Sequence, residues 1–382
     1  MKRTHLLHEL EQAFKINPVV AILGPRQCGK TTLAREYFTK QKITQEHYFD
    51  LEDPLDLERL HDPILTLSDL SELVVIDEIQ RIPELFPILR VLVDKKNRKQ
   101  RFLILGSASR ELIQQSSESL AGRIHYIELT PFSFDETHEL EKLWLRGGFP
   151  LSYLAHSDQG SSQWRKGYIK TFLEQDIPNL GIKIPAQNLR RFWMMVAHYH
   201  GQLLNASELG NSLDISYNTV KKYLDILTGT FMIRQLQPWF VNIAKRQVKS
   251  IKIYFRDSGI YHSLLNITTR QALFTHPKLG ASWEGFALES VIRHMHADQE
   301  ECYFWATHNQ AELDLLIVRG SERLGFEFKH TRSPHKTRSM EIAYENLQLD
   351  KIIVIYTGDK KFKLTSYIEC IPLEKFLSEG GV

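Results

Sequence analysis

The chain has 382 residues, with 48 Lys and Arg against 46 Asp and Glu, a formal net charge of +2. A composition that is 42% hydrophobic and 25% charged is globular and excludes general disorder, while the near-neutral balance confines any nucleic-acid surface to a local patch. Three cysteines, Cys28, Cys302 and Cys370, exclude a disulfide-stapled scaffold and a cysteine-based zinc site, and suit a reducing compartment.

The length suits two to three domains of about 100–200 residues each. The first residues are charged and mixed, without the pattern of a signal peptide, and no apolar run approaches the roughly 18 residues of a membrane span. The expectation is a cytoplasmic, multidomain protein without a membrane partner.

In chain order, a helix is expected near Thr4–Phe14, then short apolar runs at Val19–Leu23, Tyr48–Leu51, Leu73–Ile76, Phe102–Leu105 and Ile124–Leu129. Apolar runs without alternation are strands buried on both faces, so residues 1–155 are expected to form an α/β core with a parallel sheet. Between the first strand and the next helix lies Gly24-Pro25-Arg26-Gln27-Cys28-Gly29-Lys30-Thr31, followed by Thr32, which fits the phosphate-loop pattern in its required strand-to-helix setting. Such a loop turns backbone N–H groups around phosphates, with Lys30 reaching the β/γ oxygens and the Thr31 hydroxyl available to Mg²⁺. Nothing in that chemistry requires the Cys28 thiol.

The run Leu73-Val-Val-Ile ends in Asp77-Glu78, which places two acids at the carboxyl edge of the sheet. Asp77 is expected to orient Mg²⁺ through water, and Glu78 to polarise an attacking water as general base. Ser107, in Gly106-Ser107-Ala108-Ser109, ends the next strand and stands either as a γ-phosphate contact or as a small-residue turn. Arg123 is open between an arginine finger, acting in a neighbouring subunit of a homo-oligomer, and an ordinary surface ion pair. No N-K-x-D element follows, which favours ATP over GTP.

From Gly147-Gly148-Phe149-Pro150 to Pro185 the pattern is helical and aromatic, with Ser157–Ser162 as the most linker-like stretch. Residues 156–255 are expected to be a helical and winged-helix region. Helices near Leu189–Tyr199, after Asn205 and over Ser216–Leu227 precede two β-prone runs, Phe231–Leu236 and Ile251–Phe255. Asn218, Lys221 and Lys222 fall off the apolar stripe of the third helix, and Lys245, Arg246 and Lys249 follow in the loop, an arrangement that suits DNA and equally suits a lid or protein-binding module.

Residues 256–382 are expected to hold a helix near Trp283–Met295 and several strands. Here Glu312 to Lys329 folds as a hairpin around Gly320-Ser321, pairing Arg319 with Glu322. That register puts Leu313, Leu315 and Ile317 on one apolar face with Leu324, Phe326 and Phe328, and sets Asp314 opposite Glu327 on the other. Opposed acids are unfavourable by about 0.2–1 kcal/mol unless a cation intervenes. With Lys329 beside them this is a metal-nuclease arrangement, Glu289 being a further candidate ligand, or else a charged face neutralised by its lysine.

GPRQCGKTTL, LVVIDEIQRIPELFPILRVLVD, FLILGSASRELIQQSSESLAGR, LTPFSFDE and LRGGFP resemble the bacterial AAA+ family ATPases that carry a C-terminal domain of unknown function. YFRDSG, GASWEGFALE and AELDLLI…GFEFK resemble that C-terminal domain, which is related to PD-(D/E)xK restriction-endonuclease-like folds. The resemblance spans nearly the whole chain. It implies an ATPase with ATP and Mg²⁺ as cofactors, a winged-helix middle and a nuclease-like end, with Gly24, Lys30, Thr31, Asp77 and Glu78 at the ATP site and Asp314, Glu327 and Lys329 at the nuclease-type site. Ser107 and Ser109 depart from it, since many AAA+ proteins use Asn as the first sensor. Action on or near DNA is then expected, with a nucleotide-controlled protein-binding switch and an ATP-gated DNA nuclease as alternatives.

Overall fold

A computed structural model describes residues 3–95, 100–107, 118–240, 250–307 and 311–379. Ser109 and the loop residues Lys245, Arg246 and Lys249 lie outside the described residues. By contacts the chain divides into two compact units, Met1–Pro131 with Gly229–Phe231, and Phe132–Thr228 with Met232–Val382.

The first unit is an α/β layer structure. After helix α1 (Thr4–Ile16), strands β1 (Val19–Gly24), β2 (Tyr48–Asp50), β3 (Leu73–Asp77), β4 (Arg101–Ser107) and β5 (Ile124–Glu128) form one sheet in the order β2-β3-β4-β1-β5. Every pairing is parallel, as the uninterrupted apolar runs require. Side chains alternate between the two faces: Val20, Ile22, Val75, Leu103 and Leu105 enter one core, Val19, Ala21, Val74, Ile76 and Ile104 the other. Helix α2 (Lys30–Lys40) follows β1 directly. Because all five strands run the same way, the ends of β1, β3 and β4 meet at one edge.

The second unit contains helices α3 (Leu140–Arg146), α4 (Asp158–Thr171) and α5 (Ala186–His198), strand β6 (Gln202–Leu203), then α6 (Ala206–Leu213) and α7 (Tyr217–Gly229). Strands β7 (Ile233–Pro238) and β8 (Lys252–Phe255) come next, then α8 (Ser258–Leu264), α9 (Leu279–His294), β9 (Cys302–Ala306), β10 (Glu312–Arg319) and β11 (Glu322–Lys329). Helix α10 (Arg338–Leu347) and strands β12 (Lys351–Tyr356), β13 (Phe362–Lys363) and β14 (Ile368–Pro372) complete the sheet.

Three expectations change here. Ser157–Ser162 is no linker: Ser157 Oγ accepts from the Gly160 N–H at 3.0 Å and starts α4, and the buried Ser161 hydroxyl receives Arg165 Nη1 at 2.6 Å. The expected breaks at 155/156 and 255/256 fall inside this one unit. Gly148 N–H donates to the buried Asp257 carboxylate at 2.8 Å, and β7 pairs with β9 through Gln237–Tyr303 and Pro238–Phe304. The β6-β8-β7 hairpin strands therefore continue into a nine-stranded sheet, ordered β13-β14-β12-β11-β10-β9-β7-β8-β6.

The third change concerns the β10–β11 hairpin. Its register is the expected one from Leu315–Phe326 to Arg319–Glu322, with Gly320 at φ 60°, as the first residue of such a loop demands. A bulge between Leu313 and Leu316, however, breaks the alternation of β10 against β9. Leu313 consequently packs with Leu316 against α10, while Leu315 and Ile317 face the other core.

Candidate functional site

The loop from β1 to α2 is shaped by two glycines. A Cβ on Gly24 would lie 2.2 Å from the Leu129 carbonyl oxygen, so only glycine lets β1 run this close to the end of β5. Gly29 holds φ at 100° immediately before α2, a left-handed conformation that L side chains rarely adopt. Pro25 and Cys28 are buried, Arg26 is half-buried and pairs with Glu52 at 3.0 Å, and Gln27 and Thr32 are exposed. The Cys28 thiol donates to Leu129 O at 3.5 Å, and burial pushes its pKa up, so it is an inert filler rather than a nucleophile. Lys30 is buried, with Nζ donating to the Gly24 and Pro25 carbonyls at 3.1 and 3.0 Å.

At the same sheet edge the Thr31 hydroxyl donates to Asp77 Oδ2 at 2.7 Å, and Tyr48 OH donates to the same oxygen at 3.0 Å. Burial raises the Asp77 carboxyl, and these two bonds pull it back toward ionisation. Glu78 follows in a left-handed conformation, φ 56°, and burial raises its carboxyl as well, with Lys30 opposing. A hard-oxygen pair made of a threonine hydroxyl and an aspartate carboxylate fits Mg²⁺, with phosphate and water supplying the remaining ligands.

Ser107 ends β4, directly opposite Gly24 in register. Gln80, not anticipated from the sequence, links the two sides of this edge. Its Nε2 donates to Glu78 Oε2 and, at 3.2 Å, to Ser107 Oγ. The only signal for it was its place two residues after the acid pair. Arg123 lies in a different setting: its guanidinium forks onto Asp94 at 2.6 and 2.8 Å, with both side chains partly exposed.

The second unit carries the other expected residues. Asp314, Glu327 and Lys329 do come together: Lys329 Nζ lies 2.7 Å from Glu327 and 4.0 Å from Asp314 Oδ2, which also accepts the Phe328 N–H at 3.0 Å. Glu289 stands apart. It lies five positions along α9 from Glu284, which rotates it to another face. There Arg234 grips it at 2.5 and 3.1 Å, with Arg256 and Arg293 within 4 Å. Burial opposes its ionisation, yet the three arginines hold it down to about 2.

The carboxylate that does face Asp314 is Glu284, with Tyr254 OH donating to its Oε1 at 2.6 Å. Beside it Lys252, buried on β8, pairs with Glu312 and lies 3.9 Å from both Glu284 and Asp314. Burial, reinforced by the Asp314 charge, pushes Glu284 up to about 7 and Glu327 up to about 8. Among the described residues no group of three or more His, Cys, Asp and Glu side chains is arranged to hold a metal ion. The acids here are arranged around lysines, and as they stand they do not fit a divalent cation.

On α7, Val220, Tyr223, Leu224 and Leu227 are buried, and Asn218, Lys221 and Lys222 are exposed, as their spacing requires. Ser216 Oγ accepts from the Thr219 N–H at 3.2 Å at the head of the helix. Among the described residues no helix is long and apolar enough to cross a membrane.

Comparison with known proteins agrees with the first unit. Residues 16–138 match the family described as an AAA domain, and residues 137–271 and 279–376 match two domains of unknown function, DUF8612 and DUF4143. The uncharacterized proteins Rv2008c of Mycobacterium tuberculosis and Mb2031c of Mycobacterium bovis are each 47% identical, across 100% of this chain and 86% of theirs. Among solved structures, the Walker-type ATPase PABY2304 of Pyrococcus abyssi is 16% identical with a TM-score of 0.46, over 69% of this chain and 95% of that one. RuvB of Thermotoga maritima is 16% identical with a TM-score of 0.30, over 62% and 90%. The chain belongs to the family of the mycobacterial proteins Rv2008c and Mb2031c, and its first unit carries an ATP-binding, AAA-type P-loop domain.

Proposed function

We propose that this protein is a Mg²⁺-dependent ATP hydrolase that acts on or near DNA. The observation that carries the hydrolase reading is the convergence of Lys30, Thr31, Asp77, Glu78 and Ser107 on one edge of a parallel sheet, with Thr31 and Asp77 2.7 Å apart. In this reading the loop from Gly24 to Thr32 binds the phosphates through its N–H groups, and Lys30 swings from its carbonyls to the β/γ oxygens. Thr31 would ligate Mg²⁺ and Asp77 would orient it through water, and the ion would neutralise charge on the phosphate oxygens. Glu78 takes a proton from the attacking water, and Gln80 keeps that carboxylate aimed and ionised. Arg123 serves a second copy's nucleotide only by leaving Asp94, an exposed pair that is cheap to break. Turnover of ATP by the full chain with Mg²⁺ tests this; no turnover at any protein concentration refutes it.

The DNA part rests on α7. Its exposed Asn218, Lys221 and Lys222 sit on the third helix of the order α5-β6-α6-α7-β7-β8, which in this reading serves as a winged helix within residues 156–255. Each phosphate-contacting lysine should lower the salt dependence of duplex binding by about one unit of slope when removed. Anisotropy titrations of Lys221→Glu and Lys222→Glu across a salt series measure that slope, and an unchanged slope removes this face from the DNA reading.

One observation favours a second reading. A serine at the strand end, where a sensor asparagine is usual in AAA+ proteins, suits slow turnover, and ATP would then switch the protein between states that bind a protein partner. Turnover indifferent to every DNA, with a partner captured only in the ATP state, selects it. In either reading residues 256–382 carry the nuclease-like part of the second unit.

A further inference from the structure

The acids of the second unit disagree with a nuclease's need for metal, and that disagreement has a specific cause. We infer that Lys252 is the resident cation of the cluster formed by Glu284, Glu312, Asp314 and Glu327, occupying the place a divalent metal would take, so that the nuclease-like domain is closed to metal as folded. Lys252 is 3% exposed, and its Nζ pairs with Glu312 and lies 3.9 Å from both Glu284 Oε1 and Asp314 Oδ1.

Each of these four carboxylates has at least one oxygen already engaged, that of Glu312 by Lys252. Asp314 turns Oδ1 to Lys252 and Oδ2 to Lys329 and the Phe328 N–H. Glu327 pairs with Lys329 at 2.7 Å, and Glu284 Oε1 accepts from Tyr254. Lys252 and Tyr254 are two residues apart on β8, so both point from one face of that strand into the cluster. Mg²⁺ demands several oxygens in near-octahedral order, and a buried ammonium within 4 Å of three of these carboxylates both occupies that space and repels a second cation.

The lysine is also hard to withdraw. β8 pairs with β7, and β7 pairs with β9 in the sheet that carries β10 and β11, so the cation and the acids belong to one hydrogen-bonded framework. Burial disfavours charge on Lys252, but Glu284, Asp314 and Glu312 more than offset it and keep the amine protonated. The hairpin strand and the C-terminal strands are thus tied together by an internal salt-bridge cluster.

The test counts bound Mn²⁺ on the full chain by electron paramagnetic resonance, without nucleotide, so it is independent of ATP turnover. Wild type and Asp314→Asn should bind the same amount, and Lys252→Met should gain one Mn²⁺ that the Lys252→Met/Asp314→Asn double variant loses. Lys252→Arg, which keeps a cation, should gain none. A Mn²⁺ bound by wild type and removed by Asp314→Asn overturns the inference, as does a folded Lys252→Met that gains nothing. Should Lys252→Met fail to fold, the comparison of wild type with Asp314→Asn still decides.

Discussion

Thr31 and Asp77 are 46 residues apart in sequence, yet the threonine hydroxyl donates to the carboxylate at 2.7 Å. The contact exists because β1 and β3 are parallel strands on either side of β4, which brings the start of α2 and the last residue of β3 to one sheet edge.

Nucleotide binding should depend on this edge. Lys30→Ala removes the side-chain cation that the proposed reading sets on the phosphates, and should reduce the affinity for a fluorescent ATP analogue by at least about tenfold. Thr31→Ala should weaken binding with Mg²⁺ present more than with EDTA. An affinity for Lys30→Ala equal to that of wild type would place the nucleotide elsewhere.

The second expectation concerns Glu78 and Gln80. Glu78→Gln should keep ATP bound while turnover falls by about 10²-fold or more, the usual reach of a general base. Burial raises the Glu78 carboxyl, so activity, which needs the ionised form, should fall on acidification at a pH above the ordinary glutamate range. The Gln80 bond lowers that pKa, so Gln80→Ala should move the acidic limb of the kcat profile to higher pH. An unmoved limb would reduce Gln80 to a packing residue.

Two ion pairs should differ sharply in worth. Glu289→Gln leaves Arg234, Arg256 and Arg293 around a neutral amide in a buried setting, which should destabilise the fold by about 3–5 kcal/mol in urea unfolding. Asp94→Asn removes the exposed partner of Arg123 and should leave the midpoint unmoved, since solvent and salt screen that pair.

His200 and His262 should each make a stability contribution that is lost in acid. Both are buried, and burial holds each down to about 3 from the ordinary 6.5. Between these values the unfolded chain binds protons that the folded chain does not, so each histidine's own contribution to stability falls as the pH drops below about 6.5, while Glu284 and Glu327, raised to about 7 and 8, hold protons in the folded chain and act in the opposite sense. Each histidine contributes a slope of at most about 1.4 kcal/mol per pH unit. Urea midpoints at pH 7, 6 and 5 measure the net slope, and the difference between wild type and variant isolates the histidine from Glu284 and Glu327. His262→Gln should shift the slope toward greater relative stability at low pH, and an equal slope in wild type and variant would rule that histidine out.

Much of the first unit is legible in the sequence because its signals are local. The strand runs, the loop at Gly24–Thr31 and the acid pair at the end of β3 each occupy a few consecutive residues, and their parallel arrangement follows from burial on both faces. The Gly320-Ser321 turn likewise carries its own register as far as Leu315 and Phe326. The bulge that turns Leu313 to the other face lies in the pairing of β10 with β9, its other neighbour in the sheet, and nothing in residues 312–319 announces it.

Charge is where sequence and structure part. The sequence determined which residues are ionisable, which strands bury them and that an ATP-type loop precedes an acid-ended strand. Only the tertiary structure decided that Glu289 belongs to three arginines, that Glu284 rather than Glu289 faces Asp314, and that Lys252 fills the acidic cluster. Hydrophobic periodicity is written along the chain over a few residues, whereas an electrostatic partner is whichever charge lies within about 4 Å, and only the folded chain brings residue 252 to residue 314, two strands away from direct pairing.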